Sequence, residues 1–297
     1  MNARHPAVRG ARPPVRYPDR VVWMDGRLLG GAEAAISIFD RGARDGEGLF
    51  ETVRVSNRHP VRWTTHLERL VLSAAELGFP VPASPSELRT ALAATLEANA
   101  LTDAVARVTV TRGVPGSRPT RSGAWIEVEP LAARLWNAPS GVTAMVSRVA
   151  FTPGALGRHK TTSRLAYALA REEARAVGAD EALLASAQGE LLEGTVTNVF
   201  VVIGDACVTP PLASDILPGT TRAWALRAAA ESGLAVAERT IAVRELATAD
   251  ELFLTNAIQG VVSVARLEGR AIPGRAVAAR LAALHAQLIE TDARARD

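Results

Sequence analysis

Residues 136–141, Trp-Asn-Ala-Pro-Ser-Gly, interrupt the chain with a proline and a glycine, and the order of elements differs on the two sides. Before the break, "VVWMDGRLL" alternates around Asp25-Gly26, a pair suited to a tight hairpin turn. "LFETVRV", "NRHP" and "VRW" read as strand, turn and strand. Thr65 and Glu68 have capping-box spacing, and Leu67, Leu70, Val71, Ala74 and Leu77 recur on one helical face up to Gly78. A second helix is expected from Ser84, with Pro85 in its first turn and Glu87 completing another box. "ARVTVTRG" and "AWIEVEPL" add two strands. After the break, strands are expected at 142–151, 181–186, 191–202 and 251–255, between helices at about 163–177, 219–232 and 275–291. The fold class is therefore α/β. A small α+β domain covers 21–135, a short linker 136–141, and a larger α/β domain 142–297.

The 297 residues suffice for two ordinary cores. No apolar run approaches the roughly 18 residues of a membrane span, and the first residues lack a signal-peptide pattern, so a cytoplasmic chain is expected. Cys207 is the only cysteine and the five histidines are scattered, so no metal site is expected. Residues 1–20 carry Arg4, Arg9, Arg12, Arg16 and Arg20 against Asp19, with four prolines, and read as a flexible basic arm. With a formal charge of only +3 and no basic helix pattern, no nucleic-acid partner is expected.

Chemistry enters with "GRHKTTSRL". Of 34 cationic lysine and arginine residues, Lys160 is the only lysine. A guanidinium stays protonated, whereas a buried amine can lose its proton and attack a carbonyl. The bland alternative is a lysine that survived by chance in an arginine-biased chain. An imine with a cofactor aldehyde such as pyridoxal phosphate (PLP) also needs an anion cradle and a carboxylate for the ring nitrogen. Gly219, Thr220 and Thr221 in "ILPGTTRAWAL" open an apolar-periodic helix, which suits a phosphate but equally suits ordinary capping. Glu193 in "ELLEGTVTNVFVV" is a carboxylate in an apolar run, a costly place unless it is an edge-strand acid facing water. Arg69 in "HLERL" falls off its helix's apolar face, where it could simply pair with Glu68 or Glu76.

Four ordered blocks, "FDRGARDGEGLFETVRV" with "HLERL", "HKTTSRLAYALAREEARAVGADEALL", "LLEGTVTNVFVV", and "LPGTTR" with "ADELFLTNAIQGVVSV", resemble the class IV aminotransferases. These are PLP enzymes of fold type IV and include branched-chain and D-amino acid aminotransferases and aminodeoxychorismate lyases. The resemblance spans about residues 21–285. It implies that Lys160 bonds to PLP and shuttles protons, and that Glu193 binds the pyridine nitrogen. It also implies that Arg69, Gly219, Thr220 and Thr221 hold the phosphate, that Arg164, Asn198, Asn256 and Ala257 line the cofactor site, and that the protein is a homodimer acting on a small amino or keto acid. Within the family, Arg164, Asn256-Ala257 and "TRGVPGSR", with Arg118 as a carboxylate clamp, resemble aminodeoxychorismate lyase. That lyase is the first expectation. A transaminase for branched-chain amino acids, D-amino acids or amines is the alternative, and a non-catalytic binding protein on the same scaffold is a remote one. Asp45 stands where the family carries an aromatic residue facing the substrate; lining the pocket, it would repel a dicarboxylate.

Overall fold

The Asp25-Gly26 pair makes the first hairpin, both residues having positive φ (47° and 88°), as a primed two-residue turn requires. It joins β1 (Val21–Met24) to β2 (Arg27–Gly30). The elements that follow are α1 (Arg41–Arg44), β3 (Gly48–Ser56), β4 (His59–Pro60), α2 (Trp63–Glu76), α3 (Pro85–Ala98), β5 (Ala104–Thr111) and β6 (Ala124–Pro130). Their strands form an antiparallel sheet in the order β2-β1-β6-β5-β3-β4. This computed structural model describes residues 19–116 and 123–294. The expected basic arm, except Asp19 and Arg20, and the candidate clamp Arg118 lie outside the described residues.

Strand periodicity assigns the two faces of this sheet. Leu49, Val53 and Val55 of β3 join Ala106, Val108 and Val110 of β5 in a core covered by Leu67 and Leu70 of α2 and Leu88 and Leu92 of α3. Side chains alternate along a strand, so Glu51 shares the core face while Phe50 and Thr52 point the other way. The expected box on α3 is formed, with Ser84 accepting from Glu87 N and Glu87 accepting from Ser84 N.

The chain leaves the first sheet at Pro130 and enters the second at β7 (Val142–Val146). Then come α4 (Leu165–Ala176), β8 (Glu181–Ala185), β9 (Leu191–Gly194), β10 (Asn198–Ile203), β11 (Ala206–Thr209), α5 (Thr220–Glu231), β12 (Ala235–Glu238), β13 (Glu251–Asn256), β14 (Gly260–Leu267), β15 (Arg270–Ala271) and α6 (Ala276–Asp292). The mixed sheet runs β12-β11-β10-β13-β14-β7-β8-β9, with β15 beside β14. Both of its faces are buried. Val199, Val201, Leu252 and Leu254 pack in one cluster, while the alternate Phe200, Val202 and Phe253 pack under α5 and α6. The Phe200 and Phe253 rings stack 4.8 Å apart.

Four expectations are corrected. "VRW" is not a strand: Arg62 takes a left-handed conformation (φ 56°) and α2 starts at Trp63, so Thr65 and Glu68 fall inside the helix and cannot box its end. The strand expected to reach 151 stops at Val146, where the Ser147 hydroxyl and the Arg148 amide turn to Glu173 on α4. The strand expected over 191–202 breaks at Thr195–Thr197. There the buried Glu181 carboxylate accepts from the amides of Thr195 and Val196 and the hydroxyls of Thr195 and Thr197, which folds the chain into a tight turn.

The loop before α4 ties the sheets together. Thr161 bridges Leu49, Phe50 N donates to Lys160 O (2.9 Å), and Thr162 N donates to Gly48 O (2.8 Å). On its other side Gly157 lies so close to the segment before α5 that a Cβ would sit 1.9 Å from Asp215 O. Gly157→Ala is therefore expected to destabilise the fold by about 1–3 kcal/mol through overpacking, measured as a lower denaturation midpoint. An unchanged midpoint would show that the loop is free to shift.

Candidate active site

A cleft of about 310 Å³ lies where the two sheets meet, with Phe50, Thr52 and Arg107 of the first on one side and Glu193, Asn198 and Thr255 of the second on the other. Thr52 and Arg107 are cross-strand partners, so register alone places them together. Lys160 enters from the loop that binds β3. Its Nζ lies 4.6 Å from the centre of the Phe50 ring, and the half-buried side chain opens into the cleft. Burial first, then the neighbouring Arg69, push the Lys160 amine down to about 7, against a smaller opposing effect of Glu51.

Glu193 lies in β9, one residue before its end, and is buried. Its Oε2 accepts from Leu217 N (3.1 Å) and Asn198 Nδ2 (3.4 Å), and its Oε1 from the Tyr167 hydroxyl (3.2 Å). Burial raises this carboxyl to about 7, partly opposed by the Arg164 charge. Arg164 immediately precedes α4. Its guanidinium lies 3.3 Å over the Tyr167 ring and donates to Thr195 O (2.6 Å).

At the other end of the cleft, Gly219 caps α5 without a side-chain bond, and Thr220 and Thr221 begin the helix. The first-turn amides have no intrahelical acceptor, which leaves a positive helix end facing the cleft. Gly219 cannot be larger, because a Cβ would meet Asn198 Oδ1 at 1.9 Å. Thr255 also lines the cleft, and its buried Oγ1 has no hydrogen-bond partner among the described residues. Arg69 reaches this end from α2, but it is not a free cation. Its Nε and Nη2 grip both oxygens of Glu51 (2.7 and 2.6 Å), and Nη1 donates to Pro218 O (2.9 Å). His66 completes the network, 2.7 Å from Glu51 Oε2 and 3.3 Å from Thr220 Oγ1. The Arg69 charge and the His66 and Arg69 hydrogen bonds together outweigh burial and hold Glu51 at about 2.

Of the residues singled out in the sequence, Lys160, Arg69, Arg164, Glu193, Asn198, Gly219, Thr220, Thr221, Asn256 and Ala257 all line this one cleft. Asn256 does so as a turn residue, its Oδ1 accepting from Ile258 N and Gln259 N. Asp45 is not part of the cleft wall; it caps the end of α1, exposed, 3.9 Å from Arg44 Nε. Phe50 and Thr52, farther along that segment, face the cleft instead. Glu51, His66, Tyr167, Thr255 and the cleft arginines Arg107, Arg134 and Arg171 were not singled out. Glu51 carried the same signal as Glu193, a carboxylate inside an apolar strand run. Among the described residues no cluster of three or more metal-ligating side chains occurs, and no helix is long and apolar enough to cross a membrane. Chemically, the cleft can hold an anion at α5, a carbonyl carbon at Lys160 and a protonated ring nitrogen at Glu193.

A family model described as amino-transferase class IV matches residues 48–267. A provisionally named branched-chain-amino-acid aminotransferase of Methanocaldococcus jannaschii is 32% identical, over 86% of this chain and 91% of that one. A T.th. branched-chain amino acid aminotransferase complexed with N-(5'-phosphopyridoxyl)-L-glutamate superposes with a TM-score of 0.83 at 26% identity, covering 93% of this chain and 96% of that one. A provisionally named 4-amino-4-deoxychorismate lyase of Legionella pneumophila gives a TM-score of 0.77 at 27% identity, covering 86% and 96%.

A lone lysine whose amine loses its proton near pH 7 has a measurable signature. In protein whose Lys160 is unmodified, the rate of acylation at this residue, followed by peptide mass mapping, is expected to rise through about pH 7 and then level off. In denaturant the rise should move toward the ordinary lysine value of 10.5. Identical profiles in the two states would refute a depressed amine.

Proposed function

Because the chain belongs to the class IV aminotransferase family, we propose that it is a PLP-dependent enzyme that transfers the amino group of an amino acid to a keto acid. The observation that carries this reading is the convergence of the one lysine, with its depressed amine, and a buried carboxylate raised to about 7 in the same cleft. Such a carboxylate is poorly matched to its surroundings until a cationic donor meets it, and a protonated pyridine nitrogen is such a donor.

The residues fit the group. The α5 amides, the hydroxyls of Thr220, Thr221 and the otherwise orphaned Thr255, and the two remaining Arg69 N–H groups would hold its phosphate. Lys160 would anchor it covalently. Bound PLP supplies an electron sink that acidifies the Cα–H of the amino substrate. Lys160 Nζ, with a pKa close to neutrality, is suited to take that proton and return it. Glu193 would hold the proton of the ring nitrogen, and the Arg69–Glu51–His66 network braces the end of the cleft that would take the phosphate. Arg107, Arg134 and Arg171 line the same cleft, where they offer charge to substrate carboxylates.

Elimination of pyruvate from aminodeoxychorismate is the second reading. It is favoured by Asn256-Ala257 in the cleft wall and by the Legionella likeness, and an exposed Asp45 no longer opposes it within this protomer. The more similar M. jannaschii relative supports transamination. We further propose a homodimer, because Ile38, Phe39, Leu165 and Leu169 are 77%, 59%, 74% and 63% exposed, which is costly for a monomer in water. Light scattering should give twice the 31.3 kDa chain mass; a stable monomer would count against it.

Loaded with PLP, the protein is expected to be yellow, and borohydride should leave a phosphopyridoxyl group on Lys160 that Lys160→Ala loses. Incubation with an amino donor alone should convert the cofactor to its pyridoxamine form. Release of pyruvate and 4-aminobenzoate from aminodeoxychorismate would instead identify the lyase. Protein that cannot be loaded with PLP at all would sink both readings.

A further inference from the structure

Tyr167 has no role in the site as described so far, yet it touches the carboxylate on which the cofactor reading depends. Its hydroxyl is the one hydrogen-bond donor to Glu193 Oε1 among the described residues, whereas Oε2 is held by Leu217 N and Asn198 Nδ2. Two donors on one oxygen fix that oxygen but leave the carboxylate free to swing about it. The third donor, on the other oxygen, removes that freedom. One lone pair of Oε1 then remains for a partner in the cleft.

Tyr167 is itself held. It sits in the first turn of α4, three residues after Arg164 and seven after Lys160, so one short segment carries the amine, the hydroxyl that meets Glu193 Oε1 and the guanidinium that covers the ring. Arg164 lies 3.3 Å above its ring and cannot leave without losing its 2.6 Å bond to Thr195 O. Phe151 packs on the ring edge-on, 4.7 Å between centroids. Burial and the neighbouring Glu193 charge keep the phenol protonated, so it donates rather than accepts.

We propose that Tyr167, clamped by Arg164, is a positioning residue that aims the Glu193 carboxylate into the cleft and keeps it anionic, so that it can hold the proton of the ring nitrogen of bound PLP. The physical basis is that a donor to the charged form favours that form, and Glu193 has little margin because burial has already raised it to about 7. Without the hydroxyl the carboxyl is neutral in more molecules at neutral pH, and a neutral acid stabilises a protonated pyridine poorly. This inference rests on the PLP reading above.

Tyr167→Phe tests it, because the substitution keeps the ring, the Arg164 stack and the Phe151 contact and removes only the O–H. With PLP labelled by 15N in its ring, the nitrogen resonance of the variant holoenzyme is expected to move toward the unprotonated pyridine value. PLP should dissociate about tenfold more readily, the low end expected for one hydrogen bond to a charged group. Phe151→Leu, which disturbs the ring's packing but leaves the hydroxyl, should keep the wild-type resonance. If both variants move the resonance alike, Tyr167 acts only by packing and the proposal is overturned. It is equally overturned if Tyr167→Phe keeps both the resonance and the affinity of the wild type. Wild-type protein that takes up no PLP would overturn the cofactor reading as well, which separates the two failures.

Discussion

The cleft depends on the hydrogen bonds by which a loop leading into α4 adds itself to the edge of β3. Phe50 N to Lys160 O and Thr162 N to Gly48 O are ordinary sheet bonds, but the loop belongs to the chain of the second sheet. They set the height of Lys160 above the first sheet and bring its amine over the Phe50 ring. Because side chains alternate along β3, the same strand buries Glu51 behind this contact and presents Phe50 and Thr52 in front of it.

Three buried carboxylates surround the cleft, and each is treated differently. Glu51 receives a guanidinium on both oxygens and a histidine, and is held near 2. Glu181 receives neutral donors, the Ala182 amide and the amides and hydroxyls of the 195–197 turn, and burial keeps it raised. Both are satisfied within the protein, so they shape the walls: one locks Arg69 at the start of α5, and the other bends the chain so that Glu193 and Asn198 flank one turn. Glu193 is left with donors on three sides and no direct ion pair, and at about 7 it is the carboxylate whose charge a bound partner can still decide. The two structural carboxylates thus make a third, responsive one possible.

Much of this arrangement was legible in the chain. The Asp25-Gly26 hairpin, the Ser84 cap and the 3.6-residue apolar repeats are local signals, since a turn, a cap and a helix face involve residues a few positions apart. Lys160 and Glu193 stood out because their residue types were out of place: a lysine among arginines, and a carboxylate in an apolar strand. Arg164, Asn198, Asn256 and Ala257 came from the family resemblance alone. Where reading failed, a distant residue decided. Thr65 and Glu68 matched a capping box, but a left-handed Arg62, whose N–H meets Asp292 Oδ2, starts the helix earlier. The straight strand over 191–202 was broken by Glu181, ten or more residues upstream.

The sequence by itself determined the alternation of strands and helices and singled out Lys160 as the candidate amine, because these follow from local periodicity and from residue chemistry. Only the tertiary structure decided what those groups face. It gave Arg69 to Glu51, turned Asp45 outward and set Tyr167 against Glu193. A pKa depends on burial and on charges within a few ångströms, and both are properties of the packed chain. The lysine could therefore be named from the sequence, but its depressed amine could not.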